Sequence, residues 1–278
     1  VEEASDYWRI GITYNPEPTP TATADRVPAF LLVPKELEPK NAAMLCLHPT
    51  HSELGKALVC GLRGNPNRFY AHELAQRGFV CLVPDYPGFA DYARYDFDTD
   101  EYASGTMKAI WNNVRAIDLL ETLPCVDRDR IGVIGHSLGG HNALFSAAFD
   151  QRLRCVVSSC GFNAFEDYYQ GDLTGWTSTR YMPRIASRFD SDPAQMPFDF
   201  PEVLAAVAPR PLFVSAPKDD ANFALPGVLK CERAILPLYR MLSADSDVTF
   251  VYPDAEHDFP DDIRQRVYAW LQRQLGAR

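Results

Sequence analysis

The stretch RIGVIGHSLGGHNALFSAAF, residues 130–149, limits what this chain can fold into more than any other. Ile131 to Ile134 is a short apolar run of the kind that forms a buried strand, and Gly139 to Phe149 reads as an Ala-rich amphipathic helix. Between them stands Gly135-His136-Ser137-Leu138-Gly139. A chain that turns from strand to helix at a single serine must hold that serine at unfavourable backbone angles. Glycines two positions to either side remove the side chains that would otherwise clash where the helix packs back on the strand. The pattern is a nucleophile elbow, which leaves the Ser137 hydroxyl exposed at the edge of a sheet.

A serine hydroxyl is a weak nucleophile at neutral pH, so it needs an imidazole to take its proton and a carboxylate to hold that imidazole in one tautomer. His257 is the only histidine after position 141 and follows the strand-like run Val248 to Tyr252. The acid is expected at the end of the preceding strand, where Leu212 to Ser215 runs into Pro217-Lys218-Asp219-Asp220. Asp219 is the first choice and Asp220 the reserve. The order Ser137, Asp219, His257, with gaps of 82 and 38 residues, is that of open α/β sheets and not of chymotrypsin or subtilisin.

Apolar runs near residues 8–14, 27–33, 42–47, 79–83, 131–134, 155–159, 212–215 and 248–252 give about eight strands. Helical stretches fall at about 68–76, 106–123, 139–149, 228–242 and 261–275. The alternation indicates an α/β fold: a mostly parallel sheet covered on both faces, with an antiparallel edge formed by the first two strands. The chain, 278 residues and 46% hydrophobic, is long enough for one such domain. The rhythm breaks between the sixth and seventh strands, where residues 161–210 carry nine aromatics from Phe162 to Phe200. A connection of this length is usually functional, and it is expected to form a lid over Ser137. Phe162 and Trp176 would then contribute an aromatic wall for substrate. Tyr86 or Tyr92, in the loop from Asp85 to Ser104, would reach the same face.

Several segments together resemble the α/β-hydrolase superfamily, and within it the serine carboxylesterases similar to dienelactone hydrolases and acetyl xylan esterases. They are LCLHPTHSELGK at 45–56, RGFVCLVPDYPGFADY at 77–92, GHSLGG at 135–140, PLFVSAPKDD at 211–220 and AEHDFP at 255–260. Dienelactone hydrolases carry cysteine where this chain has Ser137, so the resemblance implies ordinary ester hydrolysis without a cofactor. It also implies an oxyanion hole made by the Leu138 N–H and a second amide in the loop after the third strand. Pro49 has no N–H; Thr50 is expected to supply the donor, with His51 as the alternative and as a substrate contact. The resemblance also admits a peptidase similar to prolyl oligopeptidases, a carbohydrate deacetylase, or a silent hydrolase fold used for binding.

Charge and cysteine usage narrow the partners. A formal net charge of −10 disfavours nucleic acid, which demands clustered Lys and Arg. No apolar run approaches a membrane span. A small-molecule ester is the expected partner. The seven cysteines lack zinc-type spacing and fall largely in apolar runs, as buried thiols do. They suit a reducing, cytoplasmic compartment, although the chain starts at Val1, which leaves room for a removed signal peptide. Asp96, Asp98, Asp100 and Glu101 resemble the opening of a calcium loop, but the glycine needed to turn it is missing, so no metal is expected. His48 is expected to hydrogen-bond beneath the site, and His136 and His141 to pack around the elbow.

Overall fold

Short β-branched and aliphatic runs pair here into a sheet whose central strands are apolar on both faces, which requires cover on both sides. In a computed structural model that describes residues 1–17, 25–98 and 102–277, nine strands form one sheet. They are β1 (Glu2–Glu3), β2 (Tyr7–Tyr14), β3 (Val27–Pro34), β4 (Asn41–Leu47), β5 (Val80–Pro84), β6 (Val126–His136), β7 (Val156–Ser159), β8 (Leu212–Ser215) and β9 (Val248–Val251). Their order is β1-β2-β3-β5-β4-β6-β7-β8-β9. From β5 to β9 all neighbours are parallel, while β1, β2 and β3 pair antiparallel. The two-residue β1 is the strand that the sequence pattern does not show, being too short to carry periodicity. Asp100 and Glu101 lie outside the described residues.

The long helices follow the expected stretches closely: α3 (Gly105–Thr122), α4 (Leu138–Phe149), α7 (Leu225–Met241) and α8 (Asp261–Leu275). Shorter ones are α1 (Lys56–Val59), α2 (Tyr70–Ala75), α5 (Arg184–Phe189) and α6 (Phe200–Val207). One apolar cluster lies between the sheet and α3, α4, α6 and α7, and includes Ile117, Val133, Leu144 and Val214. A second, with Met44, Ile134, Val267 and Leu271, lies under α2 and α8. The sheet is thus sandwiched, and its carboxyl edge stays free for a site. No described helix is long and apolar enough to cross a membrane. Six of the cysteines are buried, Cys125 is partly exposed, and all seven are unpaired.

Residues 161–210 fold as short helical turns and not as one long element: 3₁₀ segments at Phe165–Gly171, Leu173–Trp176 and Pro193–Gln195, with α5 and α6. Aromatic packing holds them. Phe200 is fully buried and touches Phe162, Phe165, Trp176 and the α4 residue Phe145, with ring centroids 5.2 to 5.9 Å apart. Residues 178–181 form a strap across the start of α3, where the N–H groups of Gly105 and Thr106 donate to the carbonyls of Thr179 and Tyr181 at 2.8 and 3.2 Å. These would otherwise be orphan donors of a helix N-terminus. A side chain at Gly105 would collide with the Arg180 carbonyl.

Candidate active site

Ser137 stands between the end of β6 and the start of α4 with φ 55° and ψ −119°, a conformation that costs a non-glycine residue about 1–3 kcal/mol. The flanking glycines permit it. A Cβ at Gly135 would run into the Gly139 backbone, and one at Gly139 into the Leu47 carbonyl. The strand's own ladder fixes the turn, because the Ser137 N–H donates to the Ser159 carbonyl at 2.8 Å.

The His257 ring meets that serine. Its Nε2 lies 2.8 Å from Ser137 Oγ, and its Nδ1 lies 2.9 Å from Asp220 Oδ2. The carboxylate is therefore that of Asp220, and the first choice, Asp219, is corrected. Beyond β8 the chain turns at Lys218 and Asp219, whose backbone N–H groups donate to the carbonyls of Pro253 and Ala255 and tie this turn to the loop that carries His257. The turn leaves Asp219 exposed, while Asp220 is only 5% exposed and faces the imidazole. Burial pushes the Asp220 carboxyl up. The His257 ring and the N–H groups of Phe223 and Asn222 outweigh this and hold it below the usual carboxylate range.

The His257 loop is itself anchored. Arg68 donates to the His257 carbonyl at 3.0 Å and pairs with Asp258, which also accepts from Asn67. Nothing in the sequence pattern ties residues 67 and 68 to 258; the link is visible only in the folded chain. His136 stays buried with its Nδ1 3.0 Å from Ser159 Oγ, in the packing role expected for it. His48 is buried, accepts from the Tyr86 N–H at 2.9 Å and contacts the Pro49 carbonyl at 2.7 Å, beneath the loop that bears Thr50.

A cleft of about 70 Å³ opens beside the serine, bordered by Thr50, Ser137 and Leu138 on one side and by Tyr168, Trp176 and Tyr181 on the other. His141, Gly175, Asn222 and Phe223 complete it. Leu138 and Thr50 thus stand together at the nucleophile, and Thr50 Oγ1 lies 3.1 Å from the Tyr181 hydroxyl. Three expected contacts are corrected. Phe162 is 1% exposed and stacked on Phe200, away from the cleft. Tyr86 is buried, with its hydroxyl donating to the Arg180 carbonyl at 2.6 Å. His51 turns its Nδ1 to the Leu54 N–H at 3.2 Å and does not line the cleft. Trp176 does reach it. A larger groove of about 930 Å³ lies at the opposite end of the sheet, by Asn41 and Arg130, away from Ser137.

Two polar groups in the cleft wall have no hydrogen-bond partner among the described residues: both ring nitrogens of His141 and the Trp176 Nε1. Their rings are 4.8 Å apart. Burial pushes the His141 imidazole down to about 3, which the nearby Gly161 backbone opposes without offsetting, so the ring is neutral at pH 7. Sequence spacing places His141 one helical turn after the serine. It packs there as expected, against Phe145 and Trp176, and the folded structure adds that both its nitrogens lack a partner among the described residues.

Strand order, crossover helices and the elbow after β6 define a hydrolase of the α/β type. A family model described as glucuronyl esterase, fungi, matches residues 92–243, more than half of the chain. The chain belongs to this glucuronyl esterase family, and it is a carboxylic-ester hydrolase. The Bacillus subtilis protein YtaP, described only as a hydrolase, is 26% identical over 263 residues, covering 90% of this chain and 84% of that one. The 4-O-methyl-glucuronoyl methylesterase 1 of Wolfiporia cocos is 27% identical over 205 residues, 65% of this chain; the match spans about half of the methylesterase, 49%. Among solved structures, a glucuronoyl esterase from Solibacter usitatus superimposes with a TM-score of 0.70 at 18% identity, over 97% of this chain and 82% of that one. That likeness bears on the fold.

Proposed function

We propose that the chain is a serine esterase using Ser137, His257 and Asp220 as a relay, and that it cleaves small esters of sugar acids. The relay rests on one observation: an imidazole lies 2.8 Å from the serine oxygen on one nitrogen and 2.9 Å from a buried carboxylate on the other. In this reading Asp220 fixes the tautomer that leaves Nε2 free to accept. His257 takes the Ser137 proton as the hydroxyl attacks the ester carbonyl, and gives it to the departing alcohol. Water then enters by the reverse route and frees the acid. The oxyanion lies against the Leu138 N–H at the start of α4 and the Thr50 amide; losing one such donor costs about 10²- to 10³-fold in turnover.

Sugar-acid esters are favoured by the family match and by the wall opposite the serine. His141 and the Trp176 indole can pair with ring hydroxyls, while the faces of Trp176 and Phe223 suit the apolar side of a pyranose. A buried donor without a partner costs about 1–3 kcal/mol, which a substrate hydroxyl would relieve. Residues 161–210, which carry Trp176 and Tyr181, act in this reading as a fixed cap on the cleft. A wholly apolar acyl chain would leave these groups unsatisfied.

The test is hydrolysis of methyl and benzyl glucuronate beside 4-nitrophenyl acetate. The parent should turn over all three, and Ser137→Ala should lose at least about 10⁴-fold while keeping its melting temperature. Full activity in Ser137→Ala would refute the relay. Turnover of the acetate with none of either glucuronate would leave the relay standing and refute the substrate class.

A further inference from the structure

Behind the imidazole sits a side chain for which ester hydrolysis has no use. Cys160 follows β7 with φ 47°, in the left-handed region, and its N–H donates to the Ser215 carbonyl at 2.9 Å. It is 2% exposed, and its Sγ lies 3.2 Å from the Asp258 carbonyl. This brings the sulfur to the side of His257 that faces Asp220: Sγ, an Asp220 oxygen and a His257 nitrogen all lie within 4.8 Å of one another.

We propose that Cys160, Asp220 and His257 form an inhibitory site for a soft divalent cation of the Zn²⁺ type, and that occupation switches off the serine relay. The inference rests on the relay reading above and concerns its regulation. Thiolate, imidazole and carboxylate are the donors zinc takes. Bond lengths of about 2.0 to 2.3 Å set the donors about 3.4 to 3.6 Å apart in a tetrahedral site. The donors, all within 4.8 Å of one another, have to close by up to about 1.3 Å, within reach of side-chain torsions. One thiolate, one carboxylate and a neutral imidazole cancel the double charge of the cation, so the assembled cluster is neutral, as a site with two buried members requires. Sulfur excludes Mg²⁺ and Ca²⁺, which prefer oxygen. His257, 30% exposed, leaves a way in from the cleft.

The effect on the relay follows from proton accounting. The cation takes the lone pair on His257 Nδ1, so the single proton of the neutral ring moves to Nε2, and the thiol proton of Cys160 leaves to solvent. Nε2 then bears a proton and can no longer accept one from Ser137. Asp220 meanwhile spends its charge on the metal instead of orienting the ring.

The experiment titrates Zn²⁺ against 4-nitrophenyl acetate hydrolysis by the intact protein, with Mg²⁺ as control. Zinc should inhibit, a chelator should restore the rate, and Mg²⁺ should do neither. Cys160→Ser and Cys160→Ala, each read against its own zinc-free rate, should need at least ~10-fold more zinc for half inhibition. Ser137→Ala keeps all three donors and should bind one Zn²⁺ per chain by calorimetry, whereas Ser137→Ala/Cys160→Ser should not. Cysteine variants as zinc-sensitive as the parent, or no zinc bound by Ser137→Ala, would overturn the proposal. Hydrolysis retained by Ser137→Ala would strike the relay reading instead, and the calorimetry would still decide the metal site.

Discussion

The elbow and the aromatic segment 161–210 face each other across the same cleft but are held by different physics. Around Ser137 the backbone is fixed by strand ladders and by glycines packed against carbonyls, so position is set to fractions of an ångström by bonds that cannot slide. Residues 161–210 have no strand and only short helical turns; apart from the strap at 178–181, which is hydrogen-bonded to the start of α3, they are held largely by rings packed around Phe200, an attraction with little directional demand. The lesson is a division of labour. The proposed relay would then sit on the rigid side, and the proposed substrate wall on the side that can be rebuilt without disturbing it.

The strongest way to break this contrast is at the acid. Asp220→Asn should lower kcat by about 10³- to 10⁴-fold, by presenting an amide where the imidazole needs a carboxylate. Asp219→Asn, one residue away, should stay within about twofold, because that side chain points to solvent. Steady-state kinetics on 4-nitrophenyl acetate decide it, and equal losses in both variants would remove Asp220 from its assigned role.

Next in size is the aromatic side. Phe200→Ala removes a fully buried ring that four other rings touch, and should cost about 3–5 kcal/mol in denaturant unfolding. The same loss at Ser137→Ala should be near zero. If Phe200→Ala unfolds as readily as the parent, the segment is not held by its rings.

These contrasts also explain what the sequence could disclose. Ser137 and His257 were legible because an elbow is a local pattern and because one histidine alone follows it. The sheet was legible strand by strand for the same reason, except for the two-residue β1. Asp219 and Asp220 were not separable, since the choice depends on which of two neighbours faces inward, and that depends on pairing with residues 253 and 255. Phe162 and Trp176 looked alike as aromatics in an irregular stretch; only the packing sends one to the core and the other to the cleft. The Arg68–Asp258 tie joins residues 190 apart, which no periodicity encodes.

A third, smaller effect is one of pH. His141 protonates near its ordinary 6.5 when unfolded and near 3 when folded, so below 6.5 the unfolded chain binds the extra proton and stability falls with pH. Between pH 7 and pH 5 this amounts to about 2 kcal/mol. His141→Gln should lose that much less over the same interval in urea unfolding. His136, buried beside the serine and shifted in the same sense, keeps the remaining slope in place. Parallel pH curves for parent and variant would mean that the His141 ring is hydrated in the folded protein.

The smallest effect probes the seam itself. The Tyr181 hydroxyl, on the strap of the aromatic segment, lies 3.1 Å from Thr50 Oγ1, on the loop whose amide is proposed to face the oxyanion. Tyr181→Phe deletes this clasp and leaves the ring. A hydrogen bond of this kind is worth about 0.5–1.5 kcal/mol net, so if it positions the Thr50 amide, kcat should fall by about 2- to 10-fold with KM little changed. Thr50→Val removes the other half, and the double variant should be no worse than either single one, since both delete the same bond. If KM rises while kcat holds, the clasp serves the cleft wall and not the oxyanion. The rigid and rebuildable sides would then meet without the second tuning the first.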